Sequence, residues 1–361
     1  MVSRGVIWIA FAAGCGNPTP VASDAPTDAM VDAEIPCTLP AINLAVATLA
    51  GCEQQGMADG AREVARFANP VNVAISLTET YVADFDNDRV RKLGLDGTTQ
   101  TLVSLPSFHK PFGLVIDPAG TLYVETDDND SSVHSDQTGT IWRVDPSSGA
   151  AVVVARDLGR PRGLAMLADG RIALADYRHH VLSILDPSTG VVTPLAGASD
   201  QAGFTNDTGA AARFAQPYDL VLLPDGDLVV SDLTNRRLRR VTLAGVVTDF
   251  AGTGASGNED GPVATASFEA PQGLAIGEDM LYVSDVKHHV IRRVELTTGM
   301  VTTIAGDGTG GWRDTNSPMA AEFYGLEGLD VRGNRLVAAD GNVGDGESFN
   351  RIRTVDLSMI P

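Results

Sequence analysis

Two kinds of residue in this chain have the types and spacing for chemistry: a crowded run of acids and two pairs of histidines. The run is DDNDSSVHSDQTG, residues 127–139, in which Asp127, Asp128, Asp130 and Asp136 lie close together. Calcium takes several oxygen ligands, so these four carboxylates are the chain's candidates for a calcium site. The spacing is not that of an EF-hand loop, and an acidic turn that is merely solvated has the same composition. His179–His180 and His288–His289 are the second group, since imidazole is a common metal ligand. They occupy matching positions in two copies of a repeat, so they share a metal only if two separate turns meet. A further acid recurs at Asp84, Asp176, Asp232, Asp285 and Asp340. Five copies point to a structural task, because one active site does not need five.

Composition narrows the partners. The 361 residues carry a formal net charge of −20, with 38 glycines and few aromatics. Such a chain repels phosphate backbones, and no basic block interrupts it, so nucleic acid is excluded as a partner. The opening MVSRGVIWIAFAAGC has one arginine, a short apolar run and small residues, which fits a secretory signal over residues 1–14. FAAGC resembles the lipobox of bacterial lipoproteins, which implies lipid attachment at Cys15. Gly16 after it favours the outer membrane over the inner. Residues 15–36 are rich in Pro, Ala, Asp, Ser and Thr and read as a solvated tether. With Cys15 lipidated, Cys37 and Cys52 remain, and in an exported protein they are expected to pair. Closing that loop stabilises the fold by roughly 3 kcal/mol.

What must position these groups is a repeat. The stretches NPVNVAI (69–75), KPFGLVI (110–116), RPRGLAM (160–166), QPYDLVL (216–222), APQGLAI (270–276) and GLEGLDV (325–331) align. Each precedes a second match: YVAD, YVET, ALAD, VVSD, YVSD and VAAD. Turn residues such as DPAG and LPDG separate the two, so the pair reads as a hairpin. Both strands are apolar with little alternation and must therefore be covered on both faces. A polar turn, a third strand and a fourth strand ending in an LAG-like string complete the unit. Six antiparallel four-stranded units make an all-β, six-bladed β-propeller over residues 37–361. The sixth unit runs out after three strands, and the orphan NLAVATLAG (43–51) supplies its outermost strand and closes the ring.

The segments YVADFDNDRVRKL, LADYRHHVLSIL, VVSDLTNRRLRRV and YVSDVKHHVIRRV resemble NHL repeats. The joining segments 196–217 and 251–271 are similar to the linkers of that family, and the resemblance covers about residues 43–357. Blade 2 departs most, with Thr126 in place of the Asp and the acidic insertion. The resemblance implies an interaction module, because NHL-like propellers commonly bind other molecules.

Four links between blades are long (51–70, 197–217, 252–271 and 306–326), and in a meander they emerge on the same face as the turns between second and third strands. The insertions of blades 2 and 6 (341–350) emerge there too. Loops on a rigid scaffold are where binding sites are commonly found, so this long-loop face is the expected surface for a protein, peptide or glycan. At its centre the channel mouth should hold Asn72, Phe112, Arg162, Tyr218, Asp219, Gln272 and Glu327; ordered water would suit the same set. Met57, Phe204 and Trp312 fall at matched link positions and are expected to tuck over blade edges. Binding without catalysis, by a monomer with no cofactor, is the leading expectation. The alternative is a metal-dependent hydrolase or lyase, as in lactonase-like and amidating-lyase-like propellers. No histidine lies on an innermost strand, and Asn72, Asp219 and Glu327 are the nearest equivalent of a ligand set.

Overall fold

A computed structural model describes residues 36–342 and 349–360. The expected signal, Cys15 and the tether up to residue 35 lie outside the described residues. Regular structure among the described residues consists of strands and short 3-10 turns. The strands form six antiparallel sheets, one per blade. Innermost strands are Pro70–Ile75, Pro111–Ile116, Pro161–Met166, Pro217–Leu222, Pro271–Gly277 and Gly325–Arg332. The outermost strand of blade 6 is Val46–Gly51, paired antiparallel with Arg351–Asp356, so the N-terminal strand closes the ring. Cys37 and Cys52 are joined in a disulfide that ties the chain just after this strand to the segment before it.

Close packing at the axis explains a matched position near the start of each inner strand, which is glycine in four blades: Gly113, Gly163, Gly273 and Gly328. A Cβ on Gly273 would stand 2.4 Å from the Glu327 carbonyl oxygen, and one on Gly163 2.7 Å from the Asp219 Cα. These glycines let each inner strand press against the backbone of the next blade. The two blades that depart from the rule, with Asn72 and Asp219, put polar side chains on the axis.

The recurrent aspartates have a different partner from the one their position suggests. An Asp before a tight turn is expected to accept that turn's N–H groups, and Asp176 does so, from Arg178 and His179. Elsewhere the carboxylate reaches back to the link that feeds its own blade. Asp84 accepts from Ala68, Asp232 from Ala215, Asp285 from Glu269 and Ala270, and Asp340 from Tyr324 and Gly325. The same acids pair with a third-strand arginine: Arg91 with Asp84 at 2.8 Å, Arg239 with Asp232 at 2.8 Å, and Arg353 with Asp340 at 2.9 Å. These arginines, and Arg292 of blade 5, are fully buried. Each lies over a buried phenylalanine of the link: Phe67, Phe214, Phe268 and Phe323. A buried ion pair gains little over an apolar pair, but it fixes geometry, and here it fixes where the link must run.

That course decides what the long links do. Each crosses the rim and pairs with the outermost strand of the following blade: Gly60 with Thr99, Thr208 with Val246, Gly261 with Val301, and Thr315 with Val46. In three of them an acid reaches both the buried arginine and the outer strand. Asp59 takes Arg91 and the Thr101 N–H, Asp260 takes Arg292 and the Thr303 N–H, and Asp314 takes Arg353 and the Thr48 N–H. In blade 4 the link carries Asn206 instead of an acid, and it bonds Asp249 of the strand. The length of these links therefore goes into edge caps that satisfy free strand groups, and not into a binding surface at the channel.

Candidate functional site

The axial channel has two unlike ends, and side chains near the start of several inner strands close one of them. On the long-loop face the Arg162 guanidinium stacks on Phe112 at 4.2 Å, on Tyr177 at 4.7 Å and on Tyr218 at 5.6 Å. Its Nη1 donates to the Tyr218 hydroxyl at 3.2 Å, and that hydroxyl donates to Glu327 at 3.0 Å. Phe85 of blade 1 packs edge-on against Phe112. The expected channel-mouth residues Arg162, Tyr218, Phe112 and Glu327 thus come together, with Phe85, as a plug drawn from five blades. Phe112, Tyr218 and Glu327 are buried. Burial pushes Glu327 up to about 7 against the pull of the Arg162 charge. Beside the plug, Glu125 is fully buried, and desolvation reinforced by Asp127 holds its carboxyl well above the ordinary range.

Below the plug the channel opens as a cavity of about 650 Å³ that reaches the opposite face, where the short turns between first and second strands lie. Its deepest polar residues are Asn72 and Asp219, one step below the plug; Asp330 stands further out and Arg332 at the rim. Val115, Met166, Val221 and Ile276 make much of the wall. Asp219 accepts the N–H of Leu274 in the next blade and of its own neighbour Leu220, both at 2.8 Å. Asp330 does the same for Ile75 and Val331, at 2.6 and 2.7 Å. Asn72 accepts from Val73 at 2.8 Å. Desolvation pushes Asp219 up to about 7 and Asp330 to about 6, with the Asp330 charge adding to the rise at Asp219. A blind, largely apolar cavity with a few inward polar groups is the form small-ligand sites take. Sequence reasoning placed Asn72 and Asp219 at the mouth; it missed Asp330 and the direction of opening. The signal for Asp330 was available, as an acid in an otherwise apolar inner strand.

Other candidate residues take up separate tasks. The acids of the blade 2 insertion do not converge: Asp127 pairs with Arg160, Asp128 with His134, Asp130 with Arg156 and Asp136 with Arg178. Among the described residues no three His, Cys, Asp or Glu side chains gather in a way that holds a metal ion. Asn72, Asp219 and Glu327 are divided by the plug, Glu327 within it and the other two beneath. His180 and His289 occupy the left-handed position of their turns, at φ 61° and 54°. His179 is buried with Nδ1 against Asp176 at 2.8 Å, substituting for the arginine that blade 3 lacks. Gln272 is half-buried beside the plug, and its backbone carbonyl accepts from the Ser231 hydroxyl. Of the matched bulky link residues, Trp312 donates to Thr48 and stacks under Arg351, Phe204 lies against Arg237 and Arg239, and Met57 is exposed.

Fold and site together define a six-bladed β-propeller whose axial channel is plugged at one end. Its Asp-bearing repeats are, more particularly, similar to NHL repeats, and so are related sequences. Over 114 residues the chain is 32% identical to NHL repeat-containing protein 2 of Gallus gallus, a match to 30% of this chain and 16% of that protein. Over 287 residues, 68% of this chain and 27% of the relative, it is 26% identical to the chloroplastic Protein SUPPRESSOR OF QUENCHING 1 of Arabidopsis thaliana. The chain thus spans a small part of these relatives. An auxiliary nutrient binding protein of Bacteroides thetaiotaomicron shares the fold, with a TM-score of 0.67 at 17% identity, over 86% of this chain and 75% of that one. No family model matches the chain.

Proposed function

We propose that this protein is a non-catalytic binding propeller, held at the bacterial outer membrane by a lipid on Cys15, that receives a small ligand in its axial cavity from the short-turn face. One observation carries the reading: the channel is stoppered by Arg162, Tyr218 and Glu327 on the long-loop face and open as a cavity of about 650 Å³ on the other. The fold shared with a nutrient binding protein supports it. The sequence signals at residues 1–16 support the anchoring.

A neutral environment-sensitive dye, N-phenyl-1-naphthylamine, tests the cavity. Its fluorescence should rise on 1:1 binding to the propeller, and Val221→Trp, which fills the cavity, should abolish the rise. Phe204→Ala, on the long-loop side, should leave it unchanged. Dye binding that survives Val221→Trp would place the ligand elsewhere. For the anchor, Cys15→Ser should release the protein from membranes, and continued membrane attachment would refute the lipid.

A further inference from the structure

Resting on the cavity reading, and extending it to the chemistry of the ligand, we propose that the axial cavity selects a molecule with an apolar body and an ammonium head, the cation seated between Asp219 and Asp330. Three observations lead there. Between the plug and the rim the charged groups that face the cavity are two carboxyls, from blades 4 and 6, with the Asn72 amide of blade 1 beside them. Arg332 at the rim is the one basic residue among those lining it. Between these groups many of the lining side chains are Val, Leu, Ile, Met and Ala, which match a hydrocarbon body.

The carboxyls are held for this task. Each oxygen of Asp219 and of Asp330 already accepts one backbone N–H, so the side chains are fixed in rotamer while each oxygen keeps capacity for a second donor. An ammonium can offer three N–H groups to such a pair, and bonds between opposite charges are the stronger kind. A carboxylate ligand would instead meet two acids and find its cation only at the rim. The groups facing Asp219 are Asp330, which raises its proton affinity, and the Leu274 and Leu220 N–H groups, which lower it. Those facing Asp330 are the Ile75 and Val331 N–H groups and the Arg332 charge, all lowering. Desolvation outweighs them, so the unliganded acids titrate near neutrality and a cation should drive the proton off.

The test is displacement of N-phenyl-1-naphthylamine by n-octylamine and by its uncharged counterpart 1-octanol. At pH 8 the amine should displace the dye at about a tenth of the alcohol's concentration, the effect of one charge-assisted contact. The advantage should shrink between pH 8 and pH 5 as the acids are protonated, and should fall in Asp219→Asn and Asp330→Asn. Asparagine already occupies the Asp219 position in blade 1, as Asn72, so the first variant suits the fold. The pH profile of the unaltered protein tests the point without any variant. Equal displacement by amine and alcohol, or stronger displacement by octanoate, would overturn the cationic ligand while leaving the cavity reading intact. Failure of the dye itself to bind would overturn both.

Discussion

Blades 1, 4, 5 and 6 and blades 2 and 3 have the same four strands, yet differ in what holds them. The first group has a buried third-strand arginine, a link phenylalanine beneath it and an edge cap from the preceding link. Blade 2 replaces the acid and the arginine with Thr126 and Trp142, whose indole N–H donates to the threonine hydroxyl at 2.9 Å. Blade 3 keeps Asp176 but gives it His179. Neither has a long link before it, and Val152 and Val191 on their outermost strands are about half exposed. The plug, by contrast, draws Phe112, Arg162 and Tyr177 from these two blades. Link length therefore marks architecture in this molecule, and the two blades without it still supply half of the plug.

The sharpest way to break that comparison is to remove the arginine from a capped blade. In blade 4, Arg239→Leu leaves Asp232 buried without its cation and strips the bond to Asn206. The expected cost is about 3–5 kcal/mol, read from chemical denaturation. Trp142→Phe, at the matching site of blade 2, removes one neutral buried hydrogen bond and should cost about 1–2 kcal/mol. Equal losses would mean that the ion pairs are not what distinguishes the capped blades.

A smaller effect concerns the channel acid that has no cation beside it. Asp219 has no cation beside it, and desolvation pushes it up to about 7. A carboxyl whose pKa is raised by folding holds its proton more tightly in the folded state. Its contribution is present in full below the unfolded pKa and is lost as pH climbs through the folded one. Stability should therefore fall between about pH 4 and pH 8. Because Asp219 is only half-buried and borders the open cavity, the share due to it is discounted to about 2 kcal/mol. Asp219→Asn should flatten the melting-temperature profile over that range. An unchanged slope would put the pH dependence in the blades instead.

Much of this was legible in the sequence. The hairpin of each blade was visible because its inner strands must be apolar on both faces, and the closing strand because VATLAG repeats the ends of the other blades. Position along an inner strand fixes distance from the plane of the ring, which brought Phe112, Arg162, Tyr218 and Glu327 to one end of the channel but set Asn72 and Asp219 beneath them. What position could not give was which way a group of side chains packs. Arg162, Tyr218 and Glu327 are polar one by one, and only their stacking in three dimensions turns an expected wet mouth into a stopper. The arginine at the seventh residue after the acid in blades 1, 4 and 5 was readable but went unread, and with it the purpose of the long links.

The edge caps give the finest test. Asp260 bonds the buried Arg292 at 2.8 Å and the Thr303 backbone and hydroxyl at 3.0 and 3.1 Å, so it joins the link, the third strand and the outermost strand of blade 5. The acid is nearly half exposed, which weakens its charge, so Asp260→Ala should cost only about 1–2 kcal/mol. Its signature should be local: faster amide exchange at Thr303 and along Met300–Ala305, with the other blades unchanged. On a bare edge, Val152→Lys adds a charge to a side chain that is 50% exposed and should shift stability by less than about 0.5 kcal/mol. If exchange along Met300–Ala305 is untouched by Asp260→Ala, the link is not what protects that edge. The contrast between capped and bare blades would then rest on the arginines alone.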